Sequence, residues 1–258
     1  MMLGRARIQM MLAPVALVVI ALGAWELAAR WDLLADALSI EPFLIPAPSD
    51  IAEALWADRD LLADDGLVTL QEVVLGFGLA LVAGLAFAAA LHLSESLRRA
   101  FYPVLVASQA VPIIVVAPIL IVWFGFGITP KLLIIALICF FPITVNTLDG
   151  LRSVDPDLIK LMRTLDASRL RIFTHAEAPS ALPYAFSGAK VAVAVAVIGA
   201  VFGEWSGSSS GLGHLMLQAS AQLETARLFA AVVVLSAFAV SLFALLSVLE
   251  RRIAWWGR

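Results

Sequence analysis

The sequence predicts an all-α integral membrane protein with about six transmembrane helices, from its composition and from a series of long apolar segments. Of its 258 residues, 62% are hydrophobic and only 14% are charged, and the mean hydropathy is +0.98. Soluble domains usually contain about 45–50% apolar and about 25% charged residues. This composition therefore excludes an ordinary soluble fold, and a net charge of −3 gives no indication of a nucleic-acid partner.

Six apolar segments are long enough to cross a bilayer, whose hydrocarbon core of about 30 Å needs roughly 20 residues of helix. The third is the clearest, because no charged residue lies between Arg99 and Lys131. The first is interpreted as a retained span rather than a cleaved signal peptide, because no compact cleavage site of small residues follows it. Together the segments predict one transmembrane domain over residues 1–258, with approximate spans 10–30, 70–91, 100–124, 131–148, 184–202 and 228–249.

The distribution of Lys and Arg predicts the orientation of these spans. If the N-terminus is cytoplasmic, thirteen of the seventeen basic residues lie in the cytoplasm or next to it. The opposite side then keeps Arg30, Arg59, Lys131 and Arg227. Because the cytoplasmic loops of membrane proteins contain the excess of Lys and Arg, both termini are predicted to be cytoplasmic.

The connection between the fourth and fifth spans, residues 150–183, is basic, internal and longer than a helical bundle requires. Asp155 followed by Pro156 is typical of a helix N-cap with a proline in the first turn. Ser168 is a candidate cap for a second short helix, and the prolines before the fifth span are expected to form a corner. A long, ordered connection of this kind is usually functional.

Two stretches of this connection resemble the EAA loop of binding-protein-dependent ABC transporter permeases. They are Arg-Thr-Leu-Asp-Ala-Ser-Arg at residues 163–169 and Ala-Pro-Ser-Ala-Leu-Pro at residues 178–183. The likeness extends along most of the chain, since residues 46–50, 112–127 and 203–213 resemble segments of the sulfonate, taurine and nitrate branch of these permeases.

The loop also departs from the family pattern. The Glu-Ala-Ala positions are Lys160, Leu161 and Met162 in this chain, and the family glycine is Asp166. A left-handed backbone conformation would explain a glycine there, and Asp tolerates that conformation better than most residues do. The turn is therefore expected to survive, whereas the charge of the surface that it presents must differ.

The resemblance implies a six-span ABC importer permease of the MetI-like fold, with a cytoplasmic coupling-helix loop. Such a chain is the transmembrane subunit of an ATP-driven importer in the cell inner membrane, and it translocates a small solute delivered by an extracytoplasmic binding protein. The solute would be a sulfonate, taurine, nitrate, or a precursor of the thiamine-pyrimidine or riboflavin type. The implied partners are two ABC ATPase subunits, a second permease copy (the simplest assembly being a homodimer), a periplasmic or lipoprotein binding protein, and membrane lipid.

The sequence indicates that this chain is not itself an enzyme. It contains no G-x-x-x-x-G-K-[ST] phosphate loop, so ATP is expected to bind to a separate subunit and no cofactor is expected here. The three His residues are scattered and the H-E-x-x-H motif is absent, so neither a metal site nor a catalytic site is predicted.

In the family, the EAA loop forms a helix that sits in a groove of the ATPase. On that resemblance, the residues predicted to contact the ATPase are Arg163, Leu165, Asp166, Ala167, Ser168, Arg169 and Phe173. The alternative is that the basic loop rests on anionic lipid headgroups.

Small residues recur every four positions on the fifth span, at Gly188, Ala192, Ala196 and Ala200. Such stripes let helices approach closely within a membrane. They serve either packing within the chain or, on the resemblance, a translocation pathway lined by Gly188, Ala192 and Ala196. Glu204, at the outer end of this span, is a further pathway candidate that would either touch the substrate or the docking protein, or form an interfacial salt bridge.

Two other classes of membrane protein remain as alternatives. An ion-coupled secondary carrier or channel typically needs buried carboxylates, which are scarce in these spans. An intramembrane protease would need facing His, Glu, Asp or Ser groups within the spans, and the sequence does not bring such groups together.

Overall fold

The helices follow one another along nearly the whole chain. The computed structural model describes residues 2–255, with side chains for residues 16–33, 36, 37 and 39–255. Throughout this described part no β-strand occurs, and the α-helices are α1 (Met2–Arg30), α2 (Leu33–Leu38), α3 (Pro48–Ala57), α4 (Arg59–Leu93), α5 (Glu95–Ser108), α6 (Ile113–Phe124), α7 (Ile128–Arg152), α8 (Pro156–Thr164), α9 (Arg169–Ile172), α10 (Ala178–Trp205), α11 (Leu212–Ala221) and α12 (Thr225–Ile253).

Four helical runs in this described part are long and apolar enough to cross a membrane: α4, α7, the run Arg169–Trp205 that includes α10, and α12. The pair α5 and α6 together would make a fifth. The first predicted span, residues 10–30, begins where side chains lie outside the described residues, so it stays a prediction.

The third predicted span is not one continuous helix. Residues 100–124 were expected to form one uninterrupted helix, but α5 ends at Ser108 and α6 begins at Ile113, with the two axes bent by 103°. Pro112 explains the break, because it has no N–H to continue α5 and its ring keeps the preceding residue out of the helical conformation.

The chain divides into two compact units. One contains Asp65–His214 together with the chain from Leu235 onward, and its centre is the packing of α7 against α10. A Cβ atom added at Gly188 would lie 2.6 Å from the carbonyl oxygen of Pro142, so the two helices touch backbone to backbone there. Ala192 and Ala196 are fully buried, and the Cys139 thiol donates a hydrogen bond to the Ala192 carbonyl at 3.3 Å.

The small-residue stripe of the fifth span therefore fills a helix–helix interface within the chain. Three of the four predicted pathway residues, Gly188, Ala192 and Ala196, lie at this interface and are buried. The packing interpretation accounts for their size, because only small side chains let two helices approach this closely.

The other unit contains the chain up to Asp64 together with Leu215–Val234. Glu26 of α1 accepts hydrogen bonds from the backbone N–H and the hydroxyl of Ser49, at 3.0 and 2.9 Å. Arg227 of α12 pairs with both carboxylate oxygens of Asp58, at 2.7 and 3.1 Å. These side-chain pairs hold the segment between the first two predicted spans within its unit.

We expect Gly188→Ala and Gly78→Ala to change stability in opposite directions. Both glycines lie inside helices, where Ala is intrinsically favoured over Gly by up to about 1 kcal/mol. At Gly78 a Cβ would meet nothing within 4 Å, whereas at Gly188 it would meet the Pro142 backbone. Gly188→Ala should therefore destabilise by about 1–3 kcal/mol, as overpacking does. Thermal unfolding of both variants in detergent checks this, and equal stability of the two would contradict the close α7–α10 contact.

Candidate functional site

The segment between α7 and α10 begins with a capped helix. The Asp155 side chain accepts a hydrogen bond from the Asp157 backbone N–H at 2.8 Å, and Pro156 opens α8. This confirms the predicted N-cap and first-turn proline. The start of α8 is thus fixed by local interactions that do not depend on a partner.

The end of α8 is fixed as firmly as its start. Asp166 has φ +56°, which confirms the left-handed conformation expected at this position. The Asp166 N–H donates to the Arg163 carbonyl and the Ala167 N–H donates to the Met162 carbonyl, both at 3.0 Å. This pair of bonds is the Schellman motif, which usually places glycine where Asp166 stands.

The second predicted cap is also present. The Ser168 hydroxyl accepts a hydrogen bond from the Arg171 N–H at 3.3 Å and opens α9. A five-residue π-helical turn, Phe173–Glu177, then leads directly into α10. The predicted proline corner is therefore wrong: Pro179 lies in the first turn of α10, where its missing N–H has little cost, and Pro183 is accommodated inside the helix.

This interhelical segment, residues 153–177, presents apolar side chains to its surroundings. Leu161 is 56% exposed, Leu165 is 72% exposed and Leu170 is 71% exposed. Of the residues predicted to contact an ATPase, five are exposed and Ala167 is half-buried; the exposed five are Arg163, Leu165, Asp166, Ser168 and Arg169. A rigid surface of exposed leucines among arginines is typical of a docking surface rather than of a solvated loop.

Phe173 differs from the other predicted contacts because it is turned inward. It is half-buried, and its ring centroid lies 6.3 Å from that of His92 at the end of α4. His92 also lies 2.9 Å from the buried Glu177 carboxylate, measured from Nε2 to Oε2. These contacts attach the π-helical turn to α4. This turn, here named the root of the segment, therefore connects to two predicted spans, because it also continues into α10.

The opposite end of α10 contains a buried carboxylate. Glu204 is 1% exposed; one oxygen accepts a hydrogen bond from the Thr69 hydroxyl at 2.6 Å, and the other accepts from the backbone N–H groups of Gly213 and His214. Gly211 has φ +106°, and a Cβ there would lie 2.4 Å from the Glu204 carboxyl carbon. Glu204 thus holds the following turn to α4, instead of forming the predicted interfacial salt bridge.

A second buried pair lies beside Glu204. Lys131 at the start of α7 donates to the Glu72 carboxylate and to the Ser208 hydroxyl, each at 2.6 Å. The side chains of Lys131 and Glu72 are 9% and 3% exposed. Sequence reasoning placed both residues near the membrane surface and missed their pairing. The available signal was their opposite charge at the same predicted end of two spans.

The Glu72–Lys131 pair borders a cavity of about 680 Å³, here named the polar cavity. Its polar wall comes from α4, the start of α7 and the turn after α10, and an aromatic ring comes from the turn between α6 and α7; these residues are Gln71, Glu72, Phe126, Lys131, Ser208 and Ser209. Among the described residues, no group of three His, Cys, Asp or Glu side chains is placed to hold a metal ion.

Comparison with known proteins identifies the family of this chain. Residues 80–255 match the family described as binding-protein-dependent transport system inner membrane component. A probable ABC transporter permease protein of Haemophilus influenzae is 37% identical over 87% of this chain and 92% of its own length. The formylaminopyrimidine transport permease protein ThiX of Halalkalibacterium halodurans is 35% identical over 91% of each chain. The riboflavin transport system permease protein RibX of Chloroflexus aurantiacus is 38% identical over 83% of this chain and 81% of its own.

More distant relatives extend the set. The taurine transport system permease protein TauC of Escherichia coli is 28% identical over 88% of this chain and 85% of its own. Among solved structures, an inward-facing MetNI methionine ABC transporter matches with a TM-score of 0.62 at 20% identity, over 74% of this chain and 93% of that chain. That structural likeness supports the fold.

We expect Glu204→Leu to destabilise the protein strongly and Glu204→Gln to do so less. Leucine leaves the Gly213 and His214 N–H groups without an acceptor, at about 1–3 kcal/mol for each unpaired donor, whereas glutamine keeps one acceptor oxygen. Glu95→Leu is the control, because Glu95 is exposed and its pairs with Arg98 and Arg99 are worth about 0–1 kcal/mol. Thermal unfolding in detergent is the measurement. An unaltered unfolding temperature for Glu204→Leu would show that these bonds are unimportant.

Proposed function

The chain belongs to the family of binding-protein-dependent transport system inner membrane components and is the transmembrane subunit of an ABC importer, and we propose that residues 155–170 dock this subunit onto its ATPase. It is a multi-pass protein of the inner membrane, and its partners are an ABC ATPase and a solute-binding protein. The family predicted from the loop and span motifs is confirmed, which excludes the secondary carrier, the channel and the protease.

The observation that supports the docking proposal most directly is the exposure of Leu161, Leu165 and Leu170 on a segment whose short helices are capped by local hydrogen bonds. The Asp155 cap, the Schellman turn at Asp166 and the Ser168 cap hold these leucines in place without a partner. A rigid apolar surface loses little conformational entropy when it binds, so it is well suited to a preformed groove.

Movement at the docking surface has a continuous path into the membrane. From Arg169 the chain stays helical to Trp205, so a displacement of α9 acts on the whole of α10. The contact of His92 with Phe173 and Glu177 extends that path to α4. We infer that closure of the ATPases on ATP pulls this root and moves α10 and α4 together.

We further propose that the energy source, the copy number and the topology follow the family arrangement. The absence of a phosphate loop from the sequence supports an importer in which separate subunits bind ATP, with no ATPase site and no cofactor on this chain. The assembly would contain two ATPases and two permease copies, with a homodimer as the simplest form. The charge distribution supports cytoplasmic termini and a cytoplasmic interhelical segment.

For the solute we propose a nitrogen heterocycle of the pyrimidine or flavin type. The relatives named for formylaminopyrimidine and riboflavin transport are 35% and 38% identical to this chain. The taurine permease is 28% identical, as is the putative aliphatic sulfonates permease SsuC of Bacillus subtilis. The sulfonate, taurine and nitrate alternatives predicted from the sequence are thus the less supported ones.

We expect Leu165→Glu to release the ATPase from the purified permease. Replacing a docked leucine with a carboxylate buries an unpaired charge in the interface, so the yield of co-purified ATPase should fall by about tenfold or more. Co-purification from detergent-solubilised membranes, with the permease tagged, is the measurement.

Leu93→Glu is the matched control for this experiment. Leu93 is also an exposed leucine, and it ends α4 outside the interhelical segment. Retention of the ATPase by Leu165→Glu would refute the docking proposal and favour contact with lipid headgroups. Release by both variants alike would show that any added charge disrupts the complex, and would also count against a specific docking surface.

Single-cysteine labelling should place the interhelical segment in the cytoplasm. Cys139 is fully buried, so the unaltered chain should not react with a membrane-impermeant maleimide. Ser153→Cys should react only after the cells are opened, and Ser209→Cys should react in intact cells, because both serines are exposed and Ser153 lies outside the proposed docking residues. Labelling of Ser153→Cys in intact cells would reverse the orientation and remove the segment from the ATPase.

A further inference from the structure

We propose that three arginines at one end of the helical bundle form a binding site for a phosphate group, the one carried by the headgroup of an anionic phospholipid. The arginines, here named the arginine cluster, are Arg98, Arg99 and Arg152, and with Tyr102 and Pro103 they line a cavity of about 250 Å³. All five residues belong to one compact unit. Sites for whole small molecules usually occupy about 300–1,000 Å³, so this smaller cavity suits a single headgroup.

The arginine cluster lies where two predicted spans end side by side. Ala88 and Leu91, near the end of α4, pack on Leu148 near the end of α7, and all three are buried. Helix α5 begins directly after α4, at Glu95, and α7 ends at Arg152, so the two helices bring their arginines to the same level. The end of a span lies at the depth of the lipid headgroups, and the phosphates of those headgroups are the anions at this surface.

The cluster offers N–H donors that the protein leaves unused. Arg98 and Arg99 each donate to one oxygen of the Glu95 carboxylate, Arg99 through Nε at 3.0 Å. These bonds hold both side chains in place and occupy one of the five N–H groups of each. Arg152 makes no ion pair with any described residue. Because guanidinium N–H groups bond to phosphate oxygens in pairs, the unused donors suit a phosphate ester.

The charges of the cavity wall favour an anionic ligand. Among the described residues, the wall contains three guanidinium groups and no carboxylate. Glu95 bonds to the cluster from outside the wall, Asp149 lies three positions before Arg152, and Asp155 caps α8 instead. A zwitterionic headgroup would bring its own ammonium group towards the arginines. Such repulsion gives the site selectivity for an anionic lipid over a zwitterionic one.

Apolar side chains beside the cluster fit a lipid rather than a dissolved ion. Phe101 and Val104 are next to the lining residues Tyr102 and Pro103 on α5, and they are 46% and 62% exposed. Tyrosine is common at the membrane surface, because its ring is apolar and its hydroxyl is polar. A phospholipid can contact the arginines with its phosphate and these apolar residues with its acyl chains, whereas inorganic phosphate can contact only the arginines.

The test measures binding to the purified permease–ATPase complex in a neutral detergent, from the displacement of a fluorescent short-chain phosphatidylglycerol. The competitors are unlabelled short-chain phosphatidylglycerol, short-chain phosphatidylcholine and inorganic phosphate. Phosphatidylglycerol should compete at least about tenfold more strongly than either of the others. Equal competition by phosphatidylcholine would refute selection by charge. Equal competition by inorganic phosphate would refute the lipid headgroup as the source of the phosphate group.

Two double variants separate a built site from general surface charge. Arg99→Gln combined with Arg152→Gln should lower the affinity for phosphatidylglycerol by at least about tenfold, because two charged contacts are lost. Arg251→Gln combined with Arg252→Gln is the matched control, because these exposed arginines end α12 outside the cavity and their removal changes the charge equally. The control should keep its affinity. Equal weakening in the two double variants would refute the site.

Two further measurements exclude damage to the fold and contact with the ATPase. Arg152→Gln alone breaks no ion pair with a described residue, so it should fold normally and still weaken binding by about fivefold. Unchanged affinity in this variant would remove α7 from the site and overturn the proposal. The Arg99 and Arg152 double variant should retain its ATPase, since the cluster lies outside residues 155–170. Loss of the ATPase with unaltered lipid binding would assign the cluster to the ATPase interface and refute the lipid site, while the importer function would stand.

Discussion

The close packing of α7 against α10 is the interaction on which the other features depend. At one end of this pair, α7 begins near Lys131 and α10 ends at Glu204, so their contact brings together the buried polar groups. At the other end, α7 leads into the interhelical segment and α10 begins directly after its π-helical turn. Gly188 fixes the separation of the two helices, because any larger residue would meet the Pro142 backbone. One interface of small residues therefore positions both functional regions.

The second constraint is that charged groups buried within an apolar bundle need partners. An ionised group that is buried without a partner is very costly in a membrane protein, and such groups are usually functional. Here Glu204 receives three donors and Lys131 is paired, so each contributes to holding the 206–213 turn on α4. Between these groups, α7 meets α10 mainly through small and apolar residues, with Asn146 beside Gly188.

The sequence predicted the features that depend on local chemistry. The Asp155 and Ser168 caps and the left-handed Asp166 were predictable because each is set by residues within four or five positions of it. The break at Pro112 and the continuous helix through Pro183 were not, since a proline can end a helix or be tolerated inside it according to its surroundings. The Glu72–Lys131 pair lies 59 positions apart, and only the packing of two spans brings it together. Local rules contain no information on such distances.

The two ends of α10 are joined by one uninterrupted helix, and this has a consequence for how the importer responds to its solute. If ATPase closure moves the root at Phe173–Glu177, the same rigid helix moves Glu204 and the turn that forms one wall of the polar cavity. Coupling between two sites is reciprocal in free energy. A solute or a binding protein that contacts this turn better in one position of α10 must therefore favour the corresponding position of the docking surface. Contact at the turn and the readiness of the ATPases to close would then depend on the same position of α10.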